Sequence, residues 1–130
     1  MIRFASIAIV LLAACSHDGE SCTVDGDCGD DVCARTNVCA PKSQVWSVHV
    51  TWTVNGVPPT AASCASLDPL EIGFYSQTES IAFAPVPCIA GLYSIDKLPI
   101  EMDEVTLGPQ DASAPFVGIP SSGDATIDLP

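Results

Sequence analysis

The segment VWSVHVTWTV, which runs from Val45 to Val54, has the clearest secondary-structure pattern in this chain. Apolar side chains stand at every second position from Trp46 to Val54, and serine, histidine and threonine stand between them. Successive side chains of a β-strand point to opposite faces of its sheet, so this period of two predicts a strand with one buried face and one polar face. We expect the core to include Trp46, Val48, Val50, Trp52, Phe74 and Leu107.

Further short strands follow this one. Apolar alternation between turn residues predicts strands at residues 70–75, 81–84, 92–95, 100–107, 116–119 and 125–129. We expect Ile100 and Met102 to point inward, and one helical turn to form between residues 58 and 67. Pro85 and Pro87 lack a backbone donor, so they should lie at a sheet edge or end the pairing. About seven short strands predict a mainly β protein with an antiparallel β-sandwich at residues 45–130.

The order of features in this region resembles a family of bacterial surface domains. A tryptophan-bearing strand and Asn55-Gly56 are followed by Cys64, then by Cys88 before Gly91, and then by Leu98-Pro99. This order is similar to that of carboxypeptidase-regulatory-like or prealbumin-like sandwiches in bacterial lipoproteins. The resemblance covers residues 45–130 and implies a sandwich fold of the cell envelope without implying an activity.

A dense cysteine cluster precedes the predicted sandwich. Residues 22–39 have the spacing C-x5-C-x4-C-x5-C, which is formed by Cys22, Cys28, Cys33 and Cys39. Eighteen residues cannot bury a hydrophobic core, so disulfides must stabilise this module. Four cysteines allow three connectivities. We favour Cys22–Cys33 with Cys28–Cys39, because two interlocked loops of similar size would fix the aspartate-rich turns.

The last two cysteines, Cys64 and Cys88, form an isolated pair inside the predicted sandwich. A disulfide between them would remove about 3 to 4 kcal/mol of unfolded-state entropy in the simplest model. Residues 40–44 have the composition of a linker between the cysteine module and the sandwich.

The first residues have the organisation of a secretory leader. A basic start at Arg3 is followed by the apolar run Phe4–Ala14, which is well short of the roughly 20 residues that a transmembrane helix needs. Leu12-Ala13-Ala14-Cys15 then resembles the lipobox of bacterial lipoproteins. The alternative interpretation is an ordinary secretory cleavage site with an incidental cysteine.

The lipobox resemblance implies a modified N-terminus. Residues 1–14 would be the signal peptide, Cys15 would carry the lipid, and residues 15–21 would be a lipidated tether. The parity of the cysteines agrees with this, because removing Cys15 from the total of 7 leaves an even set for disulfides. Ser16 stands where many inner-membrane lipoproteins have Asp, so the resemblance implies an outer-membrane location. The expected partner is the membrane, through the lipid anchor.

The charge of the chain excludes one class of partner. Acidic residues outnumber basic ones by 16 to 4, and the formal net charge is −12. A polyanion would be repelled by such a field, so we expect no nucleic-acid partner.

Zinc and calcium are the two metals that the residue types of the cysteine module could bind. Structural zinc sites usually have thiols two to four residues apart, and these cysteines lie further apart. Four carboxylates suit calcium better: Asp25, Asp27, Asp30 and Asp31. They do not follow the EF-hand spacing, so we interpret them as solvated turn residues and expect no cofactor. A calcium-dependent adhesion module through Asp25–Asp31 is the alternative.

Candidate catalytic groups are few. His17 lies in the predicted tether and His49 on the polar face of the first strand, where a serine and a carboxylate of neighbouring strands could meet it. Glu101, Asp103 and Glu104 form the closest carboxylate cluster of the sandwich, and alternation predicts that Glu101 and Asp103 face solvent. No Gly-x-Ser-x-Gly elbow or phosphate-binding loop accompanies these groups.

These observations favour a lipid-anchored envelope lipoprotein that is a non-catalytic binding or structural module. A protein or a glycan of the envelope would be its partner, and the choice between them stays open. An unrecognised secreted hydrolase is the less favoured alternative.

Overall fold

The structure is a computed structural model that describes residues 18–130. The predicted leader at residues 1–14, the lipidation candidate Cys15 and His17 lie outside the described residues.

Residues 18–130 form a mainly β protein, as the sequence predicts. Nine strands occur in this range: β1 Val32–Cys33, β2 Cys39–Ala40, β3 Val45–Val54, β4 Leu70–Tyr75, β5 Ser80–Val86, β6 Leu92–Pro99, β7 Glu104–Pro109, β8 Val117–Gly118 and β9 Asp124–Leu129. The helix α1, Ala61–Cys64, lies within the predicted region, and 3-10 turns occupy Asp25–Cys28, Lys42–Gln44 and Cys88–Ala90.

The strands form two packed sheets and one small hairpin. The order β6-β3-β9 makes a three-stranded sheet, and the order β5-β4-β7-β8 makes a four-stranded one. Their inner faces share one hydrophobic core, which confirms the sandwich. In the described part of the chain, β1 and β2 form a separate two-stranded sheet in the cysteine module.

The alternation of β3 is confirmed. Val48, Val50 and Trp52 are at most 3% exposed, whereas His49 and Thr51 face solvent. Trp46 is only partly buried and packs against the core from its margin, and both Phe74 and Leu107 are buried within it. The indole Nε1 of Trp52 also donates to the Cys88 carbonyl at 2.8 Å, so this side chain is fixed by burial and by a hydrogen bond.

The sandwich is not antiparallel throughout. β3 pairs antiparallel with β6 but parallel with β9, with Val50 opposite Ala125. Alternation determines which face of a strand is buried and leaves the direction of its neighbour open. The expectation of an antiparallel sandwich is therefore wrong for this one pair of strands.

Gly123 allows β9 to approach β3. Its φ is +81°, and a Cβ atom there would lie 2.4 Å from the Ser47 carbonyl oxygen. The same residue accepts a hydrogen bond from the His49 amide at 2.8 Å. Only glycine combines this backbone conformation with so close a contact.

The boundaries predicted around residue 100 are wrong. β6 extends to Pro99 rather than ending at residue 95, and β7 begins at Glu104 rather than at residue 100. Ile100 is 40% exposed, whereas Met102 is fully buried as expected. Residues 100–103 form a turn, in which the Met102 amide donates to the Pro99 carbonyl at 3.0 Å.

A β-bulge explains why the strand predicted at residues 92–95 is shorter than β6 in the structure. The register shifts between Trp46 and Val48, so Ser47 stands opposite both Asp96 and Lys97. Lys97 adopts a positive φ of 54°, which is uncommon for a residue other than glycine. The extra residue breaks the period of two while the strand continues to Leu98 and Pro99.

Pro85 confirms the expectation for an edge. It lies in β5, the outer strand of the four-stranded sheet, where its missing donor leaves no gap in a central ladder. Pro87 comes directly after the end of β5.

The cysteine pairs in the structure are those that the sequence favours. Cys22 is bonded to Cys33, Cys28 to Cys39, and Cys64 to Cys88. In the cysteine module the cysteines themselves make up the small buried cluster. The segment predicted as a linker has regular structure, because Ala40 belongs to β2 and residues 42–44 form a 3-10 turn.

Candidate functional site

The cysteine module contacts the sandwich at the outer edge of β6. The Arg35 amide donates to the Lys97 carbonyl at 3.0 Å, and the Arg35 Nε donates to the Asp96 carbonyl at 3.1 Å. The guanidinium of Arg35 also forms an ion pair with the Asp96 carboxylate. One arginine of the module therefore binds two consecutive residues of the β6 bulge.

A second ion pair joins the same bulge to the module from the opposite direction. The Lys97 Nζ lies 2.8 Å from Oδ1 and 2.7 Å from Oδ2 of Asp25. The Cys33 amide donates to Asp25 Oδ1 at 3.0 Å. Asp25 thus connects β1, the first turn of the module and the sandwich.

These contacts lower the pKa of two carboxyl groups below the ordinary value of 3.8. For Asp25 the main causes are the hydrogen bonds from the Lys97 ammonium and then from the Cys33 amide. For Asp96 the main cause is the hydrogen bond from the Arg35 guanidinium. Both carboxylates are largely exposed, so water and salt weaken these ion pairs.

Two of the four calcium candidates, Asp25 and Asp27, are hydrogen-bonded within the protein. Asp25 is bound as described above. Oδ2 of Asp27 accepts from the Thr23 amide at 2.8 Å and from the Val24 amide at 3.1 Å, which lowers the pKa of that carboxyl. Asp30 is exposed, and Asp31 is partly exposed in the adjacent turn. The carboxylates of Asp25 and Asp27 are therefore already used as acceptors within the protein.

Within residues 18–130, three cysteine sulfurs lie close enough together to be considered as ligands of a metal ion. The Sγ atoms of Cys22, Cys28 and Cys33 lie within 4.8 Å of one another. All three belong to disulfides, so none is a thiolate that could bind zinc.

His49 meets a serine, as its position on the polar face allows. Its Nδ1 lies 2.9 Å from Ser94 Oγ on β6, and its register partner on β9 is Asp124. These three residues lie in a row across the exposed face of the three-stranded sheet. The row stands on an open sheet face, where a reacting carbonyl would stay in contact with water.

The carboxylate cluster of the sandwich is split by the turn after β6. Glu101 and Asp103 lie in that turn and Glu104 begins β7, and all three are exposed. Together with Glu79 and Asp18, Glu101 lines a cleft of about 370 Å³ between the module and the sandwich. The structure does not bring His49 into this cleft.

A longer groove lies beside the β6 edge, and we call it the side groove. A cavity of about 600 Å³ is lined by residues that include Val24, Arg35, Asn37, Phe83 and Lys97. A second cavity of about 180 Å³ continues from Arg35 and Phe83 to Tyr93, Ser94 and Ile95. The side groove is therefore bounded by the module, by β5 and by β6.

The floor of the side groove is aromatic. The rings of Phe83 and Tyr93 lie 5.8 Å apart, and Phe74 of the core lies 6.2 Å from Tyr93. Burial raises the pKa of Tyr93 above its ordinary value of 10.0. Val24 of the cysteine module also lines the side groove and is 60% exposed. Such a groove can hold apolar side chains next to polar backbone groups.

Comparison with known protein families, with curated proteins and with solved structures gives no match to this chain. Within residues 18–130, no helix has the length and the apolar character needed to cross a bilayer.

Sequence reasoning missed the side groove and the two cations that organise it. The sequence placed Arg35 inside the cysteine module and Lys97 inside a turn region, 62 residues apart along the chain. Nothing in the local pattern of either residue predicts that they meet. The one available signal was the break in alternation after Ile95, where a polar Asp96-Lys97 pair interrupts an apolar strand.

Proposed function

We propose that this chain is a lipid-anchored lipoprotein of the bacterial cell envelope that acts as a non-catalytic binding or structural module. One observation carries the proposal. Cys15 stands in the lipobox-like sequence Leu12-Ala13-Ala14-Cys15, and the other 6 of the 7 cysteines are paired in disulfides. Cys15 is thus the cysteine left for modification.

The disulfides also support export from the cytoplasm. Structural disulfides persist in oxidising compartments, and three of them in residues 18–130 agree with an envelope location. A lipidated N-terminus with two or more acyl chains anchors a protein stably, because each buried methylene contributes about 0.8 kcal/mol. Ser16 supports placement in the outer membrane by the resemblance described above.

The binding role is supported by the arrangement of the polar groups. His49 and Ser94 lie on an exposed sheet face, and Glu101 and Asp103 lie in a separate turn. A hydrolase needs a nucleophile, a base and an oxyanion site within hydrogen-bonding distance of one substrate. The side groove, by contrast, has the size and mixed lining of a binding surface.

Metabolic labelling with an alkyne-bearing palmitate tests the anchor. The wild-type protein should incorporate the label and sediment with membranes, whereas Cys15→Ala should lose both properties. Ser16→Ala is the matched control and should stay labelled and membrane-bound. A labelled, membrane-bound Cys15→Ala protein would contradict the proposal.

A further inference from the structure

We propose that the free edge of β6 binds an extended peptide segment of a partner protein, which adds to the three-stranded sheet as a fourth strand. This deepens the binding role proposed above by naming the site and the chemistry of the partner. It does not depend on the lipid anchor.

Among the strands of residues 18–130, none pairs with the side of β6 that faces away from β3. β6 lies at the margin of the order β6-β3-β9. The Trp52 amide donates to the Gly91 carbonyl at 3.1 Å, so the backbone groups of Gly91, Tyr93 and Ile95 face β3. By the same alternation, those of Leu92 and Ser94 face away from β3.

The cysteine module already uses the end of this edge. The Asp96 carbonyl, two residues after Ser94, points outward and accepts from Arg35 Nε at 3.1 Å. The Arg35 amide bonds to the next carbonyl, that of Lys97. A bound peptide would continue this established interface along Ser94 and Leu92, and strand addition at a free edge is a recurrent mode of peptide recognition.

The two faces of the added strand meet different surroundings. One face would look into the side groove, whose floor is formed by Phe83 and Tyr93. The other face would continue the solvent-exposed side of the sheet, on which Ser94 and Asp96 lie. A segment with alternating side chains therefore places one set in the groove and the other beside Asp96.

The negative charge of the protein indicates which residue types should alternate along the bound peptide. The chain has a net charge of −12, and the exposed side of this sheet also carries Asp124 and Asp128. Within residues 18–130, the cations next to the groove, Arg35 and Lys97, are neutralised by Asp96 and Asp25. The favoured partner segment thus alternates apolar residues with lysine or arginine. A second copy of this acidic chain is disfavoured by repulsion.

The test uses the purified native protein, in detergent, and the peptide acetyl-KVKFKV-amide as the probe. Titration followed by NMR should give saturable binding, with slowed hydrogen exchange at the amides of Leu92 and Ser94. Ser94→Ala and Ser94→Pro form a matched pair, because both lose the hydroxyl and only proline loses the outward amide. We expect Ser94→Ala to bind like the wild type and Ser94→Pro to bind about tenfold more weakly.

A modified peptide keeps the test decisive if Ser94→Pro disturbs the fold. N-methylation of the peptide amides that would face β6 should abolish binding, and N-methylation of the alternate amides should not. The proposal is overturned if the wild type does not bind the probe, if the two methylated peptides bind equally, or if a folded Ser94→Pro binds like Ser94→Ala. Self-association of the native protein that is lost in Ser94→Pro would instead identify a second copy as the occupant and overturn it too.

The peptide-binding experiment and the palmitate-labelling experiment can fail independently of each other. Loss of palmitate labelling in the wild type would refute the proposed anchor without changing peptide binding. Loss of peptide binding would refute this inference and leave the labelling result unchanged.

Discussion

The cysteine module and the sandwich reach a stable fold by different physics. In the module the buried cluster is made of Cys22, Cys28 and Cys39, with Cys33 packed against it. In the sandwich, large side chains such as Phe74 and Leu98 are completely buried between two sheets. The module therefore depends on covalent bonds, whereas the sandwich depends mainly on apolar area removed from water.

The seam between the module and the sandwich is formed by polar contacts at the protein surface. It consists of exposed ion pairs, Asp25–Lys97 and Arg35–Asp96, and of hydrogen bonds from Arg35 to the β6 backbone. Exposed ion pairs contribute little to stability because they are solvated in both states. We therefore expect the seam to respond to pH and to single substitutions that leave both regions folded.

The largest effect should come from the core of the sandwich. Trp52→Ala should lower the free energy of unfolding by about 3 to 5 kcal/mol, because the ring is buried and its Nε1 is hydrogen-bonded to Cys88. Thr51→Ala, one residue earlier on the exposed face, should change it by less than about 0.5 kcal/mol. Chemical denaturation measures both, and a reversed order would mean that the tryptophan face is not the core.

The next effect concerns the covalent part of the comparison. Replacing Cys28 and Cys39 by serine should destabilise the module by about 3 kcal/mol, which is enough to unfold a region that lacks a core. Hydrogen exchange should show fast exchange over residues 22–39 and continued protection of β3. Protection of the module in this variant would contradict its dependence on disulfides.

A smaller effect should come from the contact of β9 with β3. Gly123→Ala should cost about 2 to 3 kcal/mol, since a Cβ would meet the Ser47 carbonyl at 2.4 Å and the backbone has a φ of +81°. Gly118→Ala is the matched control, because open space surrounds its Cβ position and its φ is not positive. Thermal unfolding compares the two. Equal melting temperatures would mean that the parallel pairing is not as close as described.

The smallest effect is expected at the seam. Asp25→Asn should speed hydrogen exchange of the Cys33 amide and leave the global melting temperature within about one degree, whereas Asp30→Asn, in an exposed turn, should change neither. The pKa of Asp25 is lower in the folded protein than its ordinary 3.8. Its stabilising contribution is thus complete above about pH 4 and is lost as the pH falls through the folded pKa.

Because folding lowers the pKa of Asp25, the effect of its contacts on hydrogen exchange should depend on pH. The difference in exchange between the wild type and Asp25→Asn should be largest near neutral pH and should shrink as the pH is lowered below about 4. A difference that grows on acidification would show that the Lys97 contact does not favour the ionised carboxylate.

The sequence predicted the parts of the fold that have a local pattern. The alternation from Trp46 to Val54 determined the strand and its buried face, and Pro85 marked an edge. The period of two failed at Lys97, because a bulge inserts one residue and restores the pattern on the other side. The end of β6 and the exposure of Ile100 could not be read for that reason.

Long-range arrangement had no signal in a single sequence. The parallel pairing of β9 depends on how the chain crosses between the sheets, which alternation does not encode. The side groove requires Arg35 and Lys97 to meet across two regions of the chain. The disulfide pairs were more accessible, since few connectivities were possible and loop size favoured one of them.

Intact-mass analysis of the native protein, extracted from membranes without reduction, reports the N-terminus, the lipid and the disulfides together. We expect a polypeptide that begins at Cys15, carries a diacylglycerol and an amide-linked acyl chain, and has six hydrogens fewer than the reduced form because of three disulfides. A chain that begins elsewhere without lipid, or one in which Cys15 or any of the six paired cysteines is a free thiol, would contradict it.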